Sequence, residues 1–151
     1  MKPELKSATK RIKVFLRFPP GRAGRPVTYH LVKDFDLKIN ILRAEVSVNK
    51  GELVLDIEGR SEDIEGAARF CGEEGVEFHT IDNAVEWNRD RCVHCGACTA
   101  VCPSGALSLD RRDWSLVFSA ADCYACNVCL KACPVRALSP GFDGDPIAAT
   151  D

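Results

Sequence analysis

Two stretches of this chain, CVHCGACTAVCP (Cys92–Pro103) and CYACNVCLKACP (Cys123–Pro134), repeat one spacing, C-x2-C-x2-C-x3-C-P, at an offset of 31 residues. Ala106-Leu107 and Ala137-Leu138 continue the echo at the same offset. Self-similarity at a fixed period marks an internal duplication, and any fold for this region must accommodate both copies. Eight of the nine cysteines fall inside these two rulers, within 42 residues, and Cys71 stands alone. An odd total with this clustering speaks against a disulfide framework.

Compartment points the same way. No apolar run approaches the roughly 18 residues a bilayer span needs. Met1–Arg11 is basic and polar, without the hydrophobic region of a secretory signal. A cytoplasmic location is therefore expected, where thiols stay reduced and clustered cysteines bind metal rather than each other. The net charge of −2 hides a polarity. Residues 1–50 carry 12 Lys/Arg against 4 Asp/Glu, residues 51–90 carry 3 against 12, and residues 91–151 carry 5 against 6. Blocks kept apart by the fold would make the molecule dipolar and could orient a charged partner. Solvated surface accounts for the same pattern with no partner at all. Neither a nucleic-acid nor a membrane partner is expected.

Cysteine usage divides the chain near residue 88, and the first part alternates strand and helix signals. In RIKVFLRF (Arg11–Phe18), Ile12, Val14, Leu16 and Phe18 share one face of a half-buried strand. Pro19, Pro20, Gly21 and Gly24 break it, and Pro26 suits a first helical position. Val27, Leu31, Val32 and Phe35 then follow a helical stripe. KINILRAEVSV and ELVLDIEG read as strands joined by a hairpin turn at Asn49-Lys50-Gly51. Ser61 can cap a second helix with an acidic first turn, Glu62, Asp63 and Glu65. Ile64, Ala67, Ala68 and Cys71 form its buried face, Gly72 or Gly75 ends it, and VEFHTI (Val76–Ile81) is the last strand. The order βαββαβ predicts a ferredoxin-like sandwich of helices on an antiparallel sheet.

Pro26-Val27, Asn40-Ile41-Leu42 opening the second strand, GELVLDIEG and GVEFHTI together resemble the NIL domain, named for that tripeptide, over residues 10–82. That resemblance implies an ACT-like fold of the kind found at the C-terminus of methionine-import ATPases, where it senses methionine. It also implies a possible amino-acid ligand and homodimer formation through this domain. The stretch DNAVEWNRD leads onward, with residues 83–89 read as a linker.

The doubled ruler resembles two-cluster bacterial ferredoxins over residues 90–140. In such chains three cysteines of one run and the fourth of the other serve each 4Fe–4S cluster. The resemblance implies one cluster on Cys92, Cys95, Cys98 and Cys133, and a second on Cys123, Cys126, Cys129 and Cys102. Gly96 allows a backbone angle other residues resist, and proline after the fourth cysteine suits a change of chain direction. Ala106–Phe118 reads as a hairpin with Asp110-Arg-Arg-Asp113 at its tip. Structural zinc is the competing use of eight cysteines. Zinc modules, however, pair two C-x2-C units, often with histidine, and lack a third cysteine at the same interval followed by C-x3-C-P.

Other residues weigh less. Cys71, on a helical apolar stripe, reads as a small core residue. His94 can tune a cluster through its charge or face solvent. Tyr124 and Trp114 can shield a cluster, meet a partner or pack. Arg22 and Arg25 near a helix start suit an anion or form an ordinary basic loop. Residues 1–9 and 141–151 are expected to be flexible. No Ser/His/Asp arrangement or phosphate-cradling loop appears, so the chain does not read as an enzyme by itself. The expected overall class is α+β, a low-potential electron carrier joined to a docking or sensing domain. Chains of this NIL–ferredoxin type form a family in strict anaerobes. Membership implies a role in making homocysteine from aspartate semialdehyde beside a sulfurtransferase-like protein, with other redox proteins as partners. Methionine sensing and generic electron transfer within a larger oxidoreductase are the alternatives.

Overall fold

The computed structural model describes residues 8–142. The expected flexible segments therefore lie outside the described residues over 1–7 and 143–151. The chain divides into two compact units, Met1–Ile81 and Asp82–Asp151.

The first unit runs β1 (Thr9–Phe18), α1 (Val27–Lys33), β2 (Lys38–Val46), β3 (Gly51–Arg60), α2 (Ser61–Glu73) and β4 (Glu77–Ile81). Its four strands form one antiparallel sheet in the order β2-β3-β1-β4. Alternation sets the faces. Val14, Leu16 and Phe18 of β1 and Leu55 and Ile57 of β3 join Val27 and Leu31 of α1 and Ile64, Ala67 and Cys71 of α2 in one buried core. The other face of β1 and β3 mixes charge from Lys13, Arg17, Glu52, Asp56 and Glu58 with buried Phe15 and Val54. There Glu52, only 2% exposed, sits 3.4 Å from Arg17 Nε and 3.2 Å from Lys50 Nζ. The β2–β3 register shifts between Ile41 and Arg43, so Leu42 of the Asn40-Ile41-Leu42 tripeptide is the bulged residue of an edge strand.

Several local readings need correction. Pro26 and Arg60 occupy the N-cap positions, and neither helix start has a side-chain cap hydrogen bond. Ser61 is thus the first helical residue rather than the cap, and Arg60 reaches Asp63 in the acidic first turn, Nε to Oδ2 2.6 Å. Val32 is half exposed, and Phe35 lies beyond α1, its ring tilted against Phe70 with centroids 5.8 Å apart. At the end of α2, Gly75 takes φ +74, with Val76 N–H donating to Cys71 O and Gly75 N–H to Gly72 O. That double bond is the Schellman termination, which needs a left-handed residue where glycine stands. Arg22 donates to Glu74 O at the same helix end and Arg25 pairs with the Glu74 carboxylate. The proline–glycine loop thus spends its arginines on a helix C-terminus, where cations are favoured.

The second unit contains β5 (Val85–Trp87), α3 (Ala97–Val101), β6 (Leu107–Leu109), β7 (Leu116–Phe118), α4 (Val128–Ala132) and β8 (Leu138–Pro140). Within residues 83–89, read as a linker, Val85–Trp87 form β5. The period of 31 residues relates β5 to β7, α3 to α4 and β6 to β8, so the duplication begins before the cysteines. The pairing is crossed: β5 pairs with β8 and β6 with β7, both antiparallel. Each two-stranded ribbon therefore takes one strand from each repeat. Reciprocal bonds close them, Asn88 N–H to Ala137 O and Ser119 N–H to Ala106 O, both 2.8 Å.

Candidate iron–sulfur centres

The backbone around each ruler is built twice. Left-handed angles recur at equivalent positions: His94 (φ 53) with Ala125 (φ 55), Gly96 (φ 76) with Asn127 (φ 60), and Gly105 (φ 71) with Arg136 (φ 49). The first two pairs turn the chain between successive cysteines, which is how thiols three residues apart come to face one space. A five-residue helix then carries the third cysteine of each ruler inward, and Cys98 and Cys129 are buried. The fourth cysteine ends that helix in extended conformation, before the proline.

Two cavities result, each about 310 Å³ including its open mouth. Cys92, Cys95, Cys98 and Cys133 line the first, with Trp87, His94 and Leu138. Cys102, Cys123, Cys126 and Cys129 line the second, with Val85, Tyr124 and Asn127. Each cavity thus gathers three thiols of one ruler and the last of the other. Among the described residues no three His, Cys, Asp or Glu side chains meet at the spacing of a single-ion site. The thiols stand around the two spaces instead.

Electrostatics couples the thiols within each cavity and links the two through Cys98 and Cys129. Burial pushes the Cys98 thiol up, and Cys133, Cys92 and Cys95 add to the rise by mutual repulsion. Cys129 is pushed up to about 12, first by burial, then by Cys123, Cys126, Cys102 and Cys98. Four like charges around one space resist ionising together, and a cationic iron core would relieve that repulsion. Burial also works against ionising Cys102, but hydrogen bonds from the Ser104 hydroxyl and the N–H groups of Leu107, Ser104 and Ala106 carry its thiol below the ordinary range. Backbone donors reach other sulfurs as well: Ala125 N–H lies 3.4 Å from Cys123 Sγ and Ala137 N–H 3.2 Å from Cys133 Sγ. Four thiols per cavity, N–H groups directed at sulfur and a need for positive charge fit a 4Fe–4S cluster in each space.

The remaining candidates separate. His94 lines the first cavity, and its Nδ1 accepts the Leu116 N–H at 2.9 Å, tying the first ruler to β7. Trp87, which falls within the stretch read as a linker, meets the His94 ring edge-on at 6.3 Å. The signal that could have found it was the match of Val85-Glu86-Trp87 to Leu116-Val117-Phe118 at the repeat offset. Tyr124 lines the second cavity, whereas Trp114 is 66% exposed and lines neither. Cys71 is fully buried in the first unit's core, and burial pushes its thiol up to about 11. Among the described residues, no helix is long and apolar enough to cross a membrane.

Comparison with known proteins completes the description. The NIL domain family matches residues 13–80, and the 4Fe-4S dicluster domain family matches residues 91–137. The chain is 36% identical over 99 residues to the L-aspartate semialdehyde sulfurtransferase iron-sulfur subunit of Methanocaldococcus jannaschii, covering 66% of this chain and 74% of that one. It is 30% identical over 106 residues to the protein of the same name from Methanosarcina acetivorans, covering 70% and 78%. The methionine import ATP-binding protein MetN of Bacillus subtilis is 28% identical over 74 residues, which cover 46% of this chain and 22% of MetN. With a NIL domain followed by a 4Fe–4S dicluster domain, this chain belongs to the family that includes these two iron–sulfur subunits.

Proposed function

We propose that this chain is the electron-transfer subunit for sulfur incorporation into L-aspartate semialdehyde, forming homocysteine with a separate sulfurtransferase subunit as catalyst. The observation that carries this is the pair of crossed four-thiol cavities in a chain so similar to subunits of that name. We assign Cys92, Cys95, Cys98 and Cys133 as ligands of one cluster and Cys123, Cys126, Cys129 and Cys102 as ligands of the other. Once bound, each 4Fe–4S cluster supplies one-electron transfer at low potential. The chain's own residues hold the sulfurs, direct N–H groups at them and close the two ribbons around them. We read residues 10–82 as an ACT-like docking domain, and the pairing of β5 with β8 supports counting residues 83–89 with the dicluster domain.

The stoichiometry suits the reading. Aldehyde and hydrogen sulfide combine to a thiohemiacetal, and two electrons and two protons convert it to thiol and water. Two one-electron centres match that demand. Deleting the gene in an organism with no other homocysteine route should create a requirement for homocysteine or methionine. The intact chain should rescue growth, and one lacking Cys92, Cys95 and Cys98 should not. Normal growth of the deletion strain on sulfide alone rules this pathway out.

Similarity to MetN over the front domain favours a second reading, in which that domain also binds methionine and regulates docking. A calorimetric titration with methionine tests it, and the absence of binding removes it.

A further inference from the structure

The repeat makes the two cavities nearly alike, so the residues that break it carry the information. At the position after the second cysteine, Gly96 in one ruler answers Asn127 in the other, and both hold left-handed backbone. Asparagine is among the few side-chain-bearing residues that visit this region routinely. At Gly96 a Cβ would stand 2.9 Å from Leu109 Cδ1, so that position has little room for a side chain. At 127 a full amide is present, 6% exposed, lining the cavity of Cys102, Cys123, Cys126 and Cys129. Neither its Nδ2 nor its Oδ1 has a hydrogen-bond partner among the described residues. A buried amide without partners is costly, and the side-chain acceptors lining this cavity are the four cysteine sulfurs, the Tyr124 hydroxyl and the Ser104 hydroxyl, the last already bonded to Cys102 Sγ and Ala106 N–H.

We infer that Asn127 Nδ2 donates a hydrogen bond to a sulfur of the cluster held by Cys102, Cys123, Cys126 and Cys129, and thereby raises that cluster's reduction potential. An N–H dipole directed at sulfur stabilises the more negative, reduced form, and hydrogen bonds to the sulfurs are among the determinants of potential in this class. The equivalent position of the other ruler, glycine, has no such donor. The inference rests on the ligand assignment proposed above. Trp87 Nε1 is likewise buried without a partner among the described residues, but it lines the first cavity, and its counterpart in the repeat is Phe118. The two sites therefore differ in their non-repeated donors, and the test compares each cluster with itself.

The full chain, loaded with both clusters under anaerobic conditions, is titrated with a low-potential reductant and followed by electron paramagnetic resonance. Asn127→Gly keeps the left-handed backbone and copies the other ruler. It should lower one of the two one-electron waves so that the reduced-to-oxidised ratio at fixed potential falls about tenfold, or about 59 mV. Asn127→Asp, which puts a carboxylate oxygen where the donor stood, should lower the same wave further. Trp87→Phe should leave that wave in place. Unmoved waves in Asn127→Gly with both clusters present, or one wave moved by both Asn127→Gly and Trp87→Phe, overturn the asparagine role alone. Wild-type protein holding fewer than two clusters overturns the ligand assignment and this inference together. Should Asn127→Gly fail to load, wild-type protein with asparagine labelled by 15N in its side chain decides the matter. Electron–nuclear double resonance should then find nitrogen coupling to one reduced cluster, and its absence refutes the bond.

Discussion

Removing Cys133 tests the crossed arrangement most directly. Its sulfur lines the cavity of Cys92, Cys95 and Cys98, although in sequence it follows Cys123, Cys126 and Cys129. Cys133→Ser shortens the side chain, withdraws one of four ligands and takes the Sγ acceptor from Ala137 N–H at 3.2 Å. The serine Oγ can still accept from that N–H, so the cost stays below the penalty of about 1–3 kcal/mol for an orphaned donor. Loss of the ligand is the larger effect, and iron should fall from about eight to about four per chain, one four-iron cube of two. The decisive measurement is a double-mutant comparison by iron and sulfide analysis of anaerobically prepared protein. Cys95→Ser combined with Cys133→Ser should lose no more iron than either alone, because both strike one cavity. Cys126→Ser combined with Cys133→Ser should leave almost none. The reverse pattern, additive for the first pair and saturating for the second, refutes crossing and makes each ruler its own site.

Three further outcomes follow from burial. Cys71→Ala should keep both clusters and cost about 1 kcal/mol, the loss of one small buried group; activity lost with iron and folding intact would reveal thiol chemistry there. Because burial raises the Cys71 thiol from 9.0 to about 11, its contribution to stability is whole below pH 9 and is lost as pH rises through 11. Wild-type urea stability should thus fall between pH 8 and pH 10 by about 1 kcal/mol more than that of Cys71→Ala. Val85→Asp places a carboxylate at a buried position that lines the second cavity and belongs to β5. The visible iron–sulfur absorption should decay several-fold faster in air than in wild type, and an unchanged lifetime would mean that residues 82–90 only tether the two units.

The front unit was legible because its core alternates at every second residue of β1 and β3. The face of Ile12, Val14, Leu16 and Phe18 is the one that packs under the helices. Helix termini were less legible. Ser61 offered a capping hydroxyl, but β3 runs on to Arg60 and leaves the extended N-cap position to that residue. Val32 continued the helical stripe in sequence, yet α1 is only seven residues long and turns that side chain outward. β5 was missed because three residues give too little periodicity to register. Its stability comes from Leu138–Pro140, more than fifty residues away, and not from its own sequence.

Spacing by itself determined the duplication, the sulfur-rich metal chemistry and the division of the chain into two parts, because thiol intervals and strand alternation are local properties. The crossed sets, implied in the sequence only by resemblance, are brought together by tertiary structure. Only the pairing of β5 with β8 and β6 with β7 brings each fourth cysteine to the opposite ruler's cavity. Tertiary structure also decided that Asn127 is a buried amide lining the second cavity rather than a turn residue in water. The physical reason is that enclosure depends on contacts between distant segments. A residue's neighbours across a cavity are set by how the two repeats interlock, and no interval within either repeat encodes that.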